Sequence, residues 1–300
     1  MSELPIRIHL GSHKTATTYL QETLLLNRGR SAAAGLAYLP LASVRPLLRD
    51  AMRARRKSKE AKGFRLFSKG AAGACEKLDE IAKRFDIEMP VTLSEENILG
   101  EAQDSYYGGL YPKAGIGLSV LRDILPPRPI EFWLSVRSYA PYLASMYAES
   151  LRHGAFIPLH QYRENNRQSP GSWVTLVDVI REHFPEAKVV VWRYEDFARL
   201  EPQILERLSG VPFARMHRLS QRIVLPSASS EAIERMIAAA PDLSRQERIY
   251  TMLALQDCYG MTDRSQKFSP WEEEEKTAMA ERYERDLAQL GKRDDVELLG

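Results

Sequence analysis

Apolar positions in the first two thirds of the chain fall into short runs that alternate with stretches of helical spacing. Residues 6–10 alternate apolar and polar side chains, and apolar runs cover most of 90–94, 130–136 and 188–194. Short runs rich in Val, Ile and Leu are typical of buried strands in a parallel sheet. A weaker run at 35–40 predicts one further strand. The pattern therefore predicts several short strands.

Stretches with helical periodicity connect these strands. Apolar residues recur every three or four positions in 18–27, 75–86, 139–152 and 173–184, which is the spacing of one helix face. The segment 101–115 holds three tyrosines, three glycines and a proline, and it predicts a loop. The last third of the chain is predicted to be mostly helical. Strands that alternate with helices predict an α/β fold, with helices on both faces of a central parallel sheet.

Composition narrows the class of protein. The chain is 44% hydrophobic and 27% charged, with a formal net charge of only +2. With so small a net charge, the protein has no electrostatic field strong enough to attract nucleic acid, and we expect no nucleic-acid partner. The two cysteines, Cys75 and Cys258, lie far apart and lack metal-ligand spacing. We expect neither a metal nor a disulfide framework.

The first residues and the hydropathy of the whole chain are used to predict where the protein is located. Residues 1–5 lack the basic start and long apolar stretch of a signal peptide. No run approaches the roughly 20 apolar residues of a transmembrane helix. Together with the low cysteine content, these features lead us to expect a soluble, cytoplasmic protein without a transmembrane segment.

Eight residues between the first strand and the first helix carry the candidate chemistry. A loop that runs into a helix start presents backbone N–H groups and the positive end of the helix dipole to an anion. A lysine adds charge, threonines add hydroxyl donors, and an initial glycine allows a sharp turn. A threonine-rich helix start with ordinary capping gives the same pattern. The candidate phosphate loop consists of Gly11, Ser12, His13, Lys14, Thr15, Ala16, Thr17 and Thr18.

A second candidate anion site follows the predicted strand at 130–136. Arg137 comes directly after this strand, and Ser145 lies eight residues further on in a predicted helix. Arginine binds phosphate bidentately, and serine donates one more hydrogen bond. A surface arginine and an unrelated helix serine are the simpler alternative. The position after a core strand favours a site near the loop.

Taken together, the two segments resemble the nucleotide-binding motifs of the sulfotransferase family that uses 3′-phosphoadenosine 5′-phosphosulfate, in its bacterial branch. The family loop reads G-x-x-K-T/S-G-T-T, and the second motif reads R-x7-S. Lys14 comes too early for the nucleoside-triphosphate loop, which ends in G-K-[ST]. Ala16 replaces the family glycine. An alanine is acceptable there at negative φ, and at positive φ it costs roughly 1 kcal/mol of strain.

The resemblance implies a P-loop-like three-layer fold in a single domain spanning 1–300. It implies an enzyme that transfers a sulfuryl group from this donor to a hydroxyl or amine of a carbohydrate, glycolipid or small metabolite. The loop, Arg137 and Ser145 would bind the donor without a metal. The chain resembles the family least at 45–75 and 215–265, where the acceptor is expected to bind. A helical C-terminal region is expected at about 215–290. Oligomeric state stays open between a monomer and a homodimer.

Catalytic roles follow from the chemistry of in-line transfer. Lys14 is the candidate that neutralises charge on the leaving oxygen. A hydroxyl acceptor benefits from a base. The resemblance points to the glutamates that follow the predicted strand at 90–94, Glu95 and Glu96, with Glu96 at the family's glutamate position. His13 is the other candidate. Capping of a helix start explains the two glutamates equally well, and contact with donor or solvent explains the histidine.

Two further functions stay open. An inactive nucleotide-binding module of the same fold is favoured by Ala16 and by Glu95, which both depart from the family pattern. A nucleoside-triphosphate kinase is disfavoured, because the G-K-[ST] ending and a magnesium-binding aspartate after a core strand are absent from the sequence. The basic stretch from Arg49 to Lys62 is interpreted either as a site for an anionic acceptor or, preferably, as a solvated helix face.

Overall fold

A single parallel sheet forms the centre of the protein. The computed structural model describes residues 4–60, 78–219, 228–261, 263 and 266–300. The sheet has six strands in the order β2-β3-β1-β4-β5-β6, and every neighbouring pair is parallel. The strands are β1 (Ile6–Gly11), β2 (Ala37–Leu39), β3 (Val91–Ser94), β4 (Ile130–Val136), β5 (Lys188–Arg193) and β6 (Val296–Leu299).

Helices and short 3₁₀ turns connect these strands. Residues 78–85 are helical, and short 3₁₀ turns follow β3 and β5 at Glu96–Ile98 and Tyr194–Asp196. The α-helices are α1 (Thr17–Leu26), α2 (Arg28–Ala33), α3 (Leu41–Glu60), α4 (Ala114–Ile124), α5 (Tyr139–Arg152), α6 (Leu159–Gln168), α7 (Trp173–His183), α8 (Phe197–Ser209), α9 (Ser230–Ala239), α10 (Arg245–Cys258) and α11 (Glu273–Leu290).

Both faces of the sheet are covered, because alternate strand residues belong to two separate apolar clusters. On one face, Ile8 and Phe132 pack in a cluster with residues of α3, α4 and α7. On the other face, Trp133 and Trp192 pack in a cluster with residues of α1 and α8. Alternation along a strand sends successive side chains to opposite faces. The predicted three-layer α/β architecture with a central parallel sheet is confirmed.

Several elements differ from the sequence-based expectation. The predicted loop at 101–115 contains a 3₁₀ helix, Ala102–Tyr107, and includes the first residues of α4. Neither α6 nor β6 was predicted. α6 buries only Tyr162 and Asn166, so it shows no apolar stripe, and β6 is a half-buried edge strand. Residues 61–75 of the expected acceptor-side region, with Cys75 and Lys62, and residues 220–227 lie outside the described residues.

Among the described residues, no helix has both the length and the apolar character that a membrane span requires.

A buried histidine in β1 makes stability depend on pH. His9 is fully buried, its Nδ1 lies 2.7 Å from Ser94 Oγ, and its ring stacks on Trp192. Burial lowers the pKa of His9 from 6.5 to about 4, against an opposing effect of Glu96. The unfolded chain therefore takes up a proton at a pH where the folded chain does not. Stability is expected to fall as pH falls between these two values, by about 3 kcal/mol in total.

Chemical denaturation at about pH 7.5 and about pH 5 measures this effect. His9→Gln removes the titrating group, so its loss of stability on acidification should be smaller than that of the wild type. His160→Gln is the matched control, because His160 is exposed in the folded protein. Equal acid sensitivity in His9→Gln and the wild type would contradict the prediction.

Candidate functional site

Three neighbouring strands end at the same edge of the sheet and bring the predicted segments together. β1 lies between β3 and β4, so the loop after β1 is flanked by the residues that follow the other two strands. Arg137 Nη1 donates a hydrogen bond of 2.8 Å to the backbone carbonyl of Lys14, 123 residues away in sequence. The indole of Trp173 donates to the Arg137 carbonyl at 3.0 Å. The two predicted anion-binding segments are therefore in direct contact.

The loop has an unusual backbone with three left-handed residues. Gly11, Lys14 and Ala16 have φ values of 67°, 64° and 63°. A side chain at Gly11 would place its Cβ 2.9 Å from Thr17 Oγ1, so glycine is required there. Left-handed residues at alternate positions turn successive N–H groups toward a common concavity. α1 begins directly after Ala16, and the amides of its first turn have no intrahelical acceptor. This backbone suits an anion.

The loop hydroxyls bind the loop itself. Ser12 Oγ donates to the Ser135 carbonyl at 2.8 Å, which ties the loop to β4. Thr15 Oγ1 and Thr17 Oγ1 both donate to the Ser12 carbonyl, at 2.7 and 3.0 Å. In this conformation these hydroxyls hold the turn closed, and their predicted contact with a phosphate stays a prediction. Thr18 is half-buried in the first turn of α1.

The φ of Ala16 is positive, and this is the more strained of the two conformations that the sequence left open. A left-handed alanine destabilises the folded protein by about 1–2 kcal/mol, and glycine removes this strain. The greater conformational freedom of glycine also stabilises the unfolded chain, by about 0.4–1 kcal/mol. Ala16→Gly is therefore expected to raise the free energy of unfolding by up to about 1 kcal/mol. Urea denaturation measures the change.

The matched control for Ala16→Gly is Ala32→Gly, at an exposed position in α2. Glycine at that position should lower stability by up to about 1 kcal/mol. A similar loss in both variants would show that Ala16 is not strained.

Lys14 is fixed by an ion pair that the sequence did not predict. Its Nζ lies 3.1 Å from Glu149 Oε2 on α5, and Arg152 and His153 also contact this carboxylate, at 3.4 and 3.2 Å. Burial alone would raise the pKa of Glu149, but the hydrogen bond with His153 and the charges of Lys14 and Arg152 lower it well below its usual range. Glu149 is ionised and holds Lys14 against α5.

Ser145 shares a helix face with Glu149, because the two residues are four positions apart in α5. Its Oγ donates to the Pro141 carbonyl at 2.7 Å. Ser145 therefore lies on the side of α5 that Lys14 contacts, and its predicted bond to the donor stays a prediction. The only feature of the sequence that pointed to Glu149 was its position, one helical turn after Ser145.

Both glutamates predicted as bases bind one arginine that the sequence analysis missed. Arg45 Nε and Nη2 lie 2.6 and 2.9 Å from the two carboxylate oxygens of Glu95, and Nη2 also lies 2.9 Å from Glu96 Oε1. Glu95 is 1% exposed and accepts the Asn97 N–H, so it caps the following 3₁₀ turn. Glu96 also accepts from Gln21 at 2.7 Å. The capping alternative holds for Glu95.

The two carboxyl groups differ in their ionisation. Burial raises the pKa of Glu95, against the opposing effect of Arg45. Burial would also raise the pKa of Glu96, but the charge of Arg45 and the hydrogen bond from Gln21 act against it, and this pKa is lowered. Glu96 is therefore ionised at neutral pH, and it loses its proton more readily than Glu95.

His13 belongs to a hydrogen-bond network with two tyrosines. Its backbone N–H donates to the Tyr111 hydroxyl at 2.7 Å, and its Nδ1 lies 3.0 Å from the same oxygen. Its Nε2 lies 3.3 Å from Asn97 Oδ1. Because an amide oxygen only accepts, we assign the proton to Nε2, and the Tyr111 hydroxyl donates to Nδ1. Tyr142 in turn donates to Tyr111 at 2.8 Å. Burial lowers the pKa of His13, which favours the neutral ring.

A ligand-sized cleft of about 420 Å³ opens beside the loop. His13, Arg45, Glu95 and Glu149 all line it, as do residues of α3, α4 and α5. The site therefore has two parts: a loop with the backbone of an anion site, and a cleft that borders His13 of this loop. Tyr111 is buried behind His13, whereas Tyr107 is 73% exposed.

Comparison with solved structures adds weak structural similarity. No protein-family profile matches the sequence, and no curated protein matches it. The crystal structure of a sulfotransferase from Alicyclobacillus acidocaldarius is similar over 82% of this chain and 96% of that chain, at 16% identity and a TM-score of 0.36. A similarity at this level carries neither fold nor activity over to this chain. The fold rests on the sheet and helices described above, and the function is argued from the site.

Proposed function

We propose that the protein is a sulfotransferase, which moves a sulfuryl group from 3′-phosphoadenosine 5′-phosphosulfate to a hydroxyl or amine of a carbohydrate, glycolipid or small metabolite. The contact between Arg137 and the Lys14 carbonyl carries this proposal. It joins the two predicted anion-binding segments at one sheet edge, as a donor with two separate phosphate positions requires. The left-handed residues at positions 14 and 16 support binding of the 5′-phosphosulfate.

Arg137 suits the 3′-phosphate. Its guanidinium lies 4.9 Å from the centre of the Tyr194 ring, which orients the planar group. Within the described residues it has no carboxylate at ion-pair distance, in contrast to Lys14 and Arg45. Its charge is therefore not neutralised by a direct partner, and a guanidinium binds phosphate oxygens bidentately.

Each side chain has a role in the proposed reaction. The bound donor supplies the sulfuryl group and a phosphate leaving group. Lys14 neutralises charge that develops on the leaving oxygen. We assign the base to Glu96, which takes the acceptor proton at a carboxylate oxygen, because this carboxylate is ionised. The Glu95 side chain is 1% exposed, against 16% for Glu96, and both ring nitrogens of His13 are engaged, so Glu95 and His13 are assigned to positioning.

Calorimetry with adenosine 3′,5′-bisphosphate, adenosine 5′-phosphate and ATP with magnesium tests the nucleotide. The bisphosphate should bind most tightly, and Arg137→Ala should reduce its advantage over adenosine 5′-phosphate by about tenfold or more, as expected for loss of a charged hydrogen bond. Arg122→Ala, at an exposed position of α4, is the matched control. Tighter, magnesium-dependent ATP binding would favour a kinase and contradict the proposal.

A nucleotide-binding module without activity is the second candidate. The ion pairs of Lys14 with Glu149, and of Arg45 with Glu95 and Glu96, favour it, because they engage groups that catalysis needs. A screen of acceptors with radiolabelled donor separates the two functions. Bisphosphate binding with no transfer to any acceptor would support the module.

A further inference from the structure

One face of α3 presents a row of arginines to the cleft. The four arginines follow one another at intervals of three or four residues, so they lie on one side of the helix. The helix rises roughly 16 Å from the first to the last of them. Lys113 and Arg245 line the same cleft. The arginine face consists of Arg45, Arg49, Arg53 and Arg56.

Carboxylates neutralise only one end of this row. Arg45, beside His13, is paired with Glu95 and Glu96. In the part of the chain that the structure describes, the other three arginines have no carboxylate at ion-pair distance. Cleft-lining Lys113 is paired with Asp104 at 2.6 Å. Positive charge without a direct partner is therefore concentrated away from the catalytic end, at Arg49, Arg53 and Arg56.

Arg56 adds an independent observation. Its Nε is buried from solvent and has no hydrogen-bond partner among the described residues. A buried donor without an acceptor costs free energy, and an acidic ligand group would supply the acceptor.

Several exposed arginines on other helices are paired within their own helix. Arg84 contacts Glu80 at 3.4 Å and Arg235 contacts Glu231 at 2.8 Å, both four residues apart. Such pairs are the usual arrangement on an exposed helix. The arginine face of α3 lacks them and borders a cleft instead. This difference favours the anionic-acceptor interpretation of the basic stretch over the solvated-face interpretation.

We propose that the acceptor carries an acidic group, a carboxylate, sulfate or phosphate, and that Arg49, Arg53 and Arg56 bind this group. The inference rests on the proposed function and takes the cleft that borders His13 of the loop as the place where the acceptor binds. The reacting hydroxyl or amine lies at the other end of the row, near Arg45 and His13. The acceptor is thus extended, with its acidic group up to roughly 16 Å from the reacting atom. The planar guanidinium suits each of these oxyanions.

Binding of matched tetrasaccharides to the protein saturated with adenosine 3′,5′-bisphosphate tests the proposal. The probes are an uncharged chitotetraose and tetrasaccharides that carry uronic carboxylates, sulfates or phosphates. At least one charged class is expected to bind about tenfold or more tightly than chitotetraose. The Arg53→Gln/Arg56→Gln variant should lose this preference. Lys57→Gln is the matched control, because Lys57 is exposed on α3 and does not line the cleft.

A second double variant distinguishes loss of the binding site from misfolding. Arg49→Gln/Arg53→Gln changes two exposed residues, so it should fold and still lose most of the preference. Equal binding of charged and uncharged tetrasaccharides, or an equal loss in Lys57→Gln, would overturn the proposal. So would tighter binding of a single-stranded oligonucleotide than of every charged saccharide.

The nucleotide titration separates the two possible failures. If the bisphosphate binds but no charged tetrasaccharide is preferred, the acceptor inference fails alone. If the bisphosphate does not bind while the arginine variants still weaken binding of acidic saccharides, the proposed sulfotransferase function fails and the cleft is an anion site of another kind.

Discussion

Lys14→Ala is expected to lower the rate of sulfuryl transfer by at least about a hundredfold, the typical loss when one preorganised donor to a developing charge is removed. Lys14 carries the positive charge of the loop, and its Nζ is already positioned by Glu149 at 3.1 Å. Turnover is measured with radiolabelled donor and the best acceptor from the screen.

Little structural damage should accompany this loss. Glu149 keeps Arg152 and His153 as partners, so its carboxylate is not left unpaired. The φ of 64° at position 14 costs alanine no more than lysine. Lys57→Ala removes an exposed lysine and is the control for a change of net charge. Lys14→Ala with more than about a tenth of wild-type turnover would exclude the assigned role.

Arg45→Ala is expected to lower the free energy of unfolding by about 3 kcal/mol, because it leaves two buried or half-buried carboxylates without their cation. Glu95 is the main contributor, since it is 1% exposed and bonded to Arg45 through both oxygens. The comparison is Arg49→Ala, one helical turn further along α3 at an exposed position, with an expected effect within about 0.5 kcal/mol. Similar effects of the two substitutions would contradict the pairing.

The pH dependence of the Arg45→Ala variant gives an independent check. Without the guanidinium, burial raises the pKa of Glu95 further, so the folded variant binds a proton that the unfolded chain releases. The loss of stability should therefore shrink as pH falls toward about 5. Adding Glu95→Gln should restore part of the loss, because it removes the unpaired buried charge. An undiminished loss at low pH would indicate that packing, rather than charge, is responsible.

The same variant also bears on the identity of the base. If Glu96 accepts the acceptor proton, loss of Arg45 raises the pKa of Glu96 and moves the acidic limb of the pH–rate profile to higher pH. If the acidic limb did not move, His13 would be the better candidate for the base.

Much of the fold could be predicted from local pattern. β4 and α5 occur at the residues that their apolar spacing indicates, and the loop lies between the predicted strand and helix. Such features depend on neighbouring residues, so the chain itself carries the signal. Edge strand β6 and helix α6 escaped prediction because few of their side chains are buried.

Parts of the site required the tertiary structure. Arg45 meets Glu95 across 50 residues, and Lys14 meets Glu149 across 135. No spacing rule relates positions on different elements; only the packing of α3 and α5 against one sheet edge brings these charges together. The left-handed φ of Ala16 was likewise undecided by sequence, since alanine is compatible with either sign.

By itself, the sequence determined the α/β layering, the loop and the residue types available for chemistry, because periodicity and short motifs are local properties. Only the tertiary structure decided which carboxylates are paired, which histidine nitrogen carries a proton and which face of α3 meets the cleft. Those properties depend on distances between side chains that the chain order does not set.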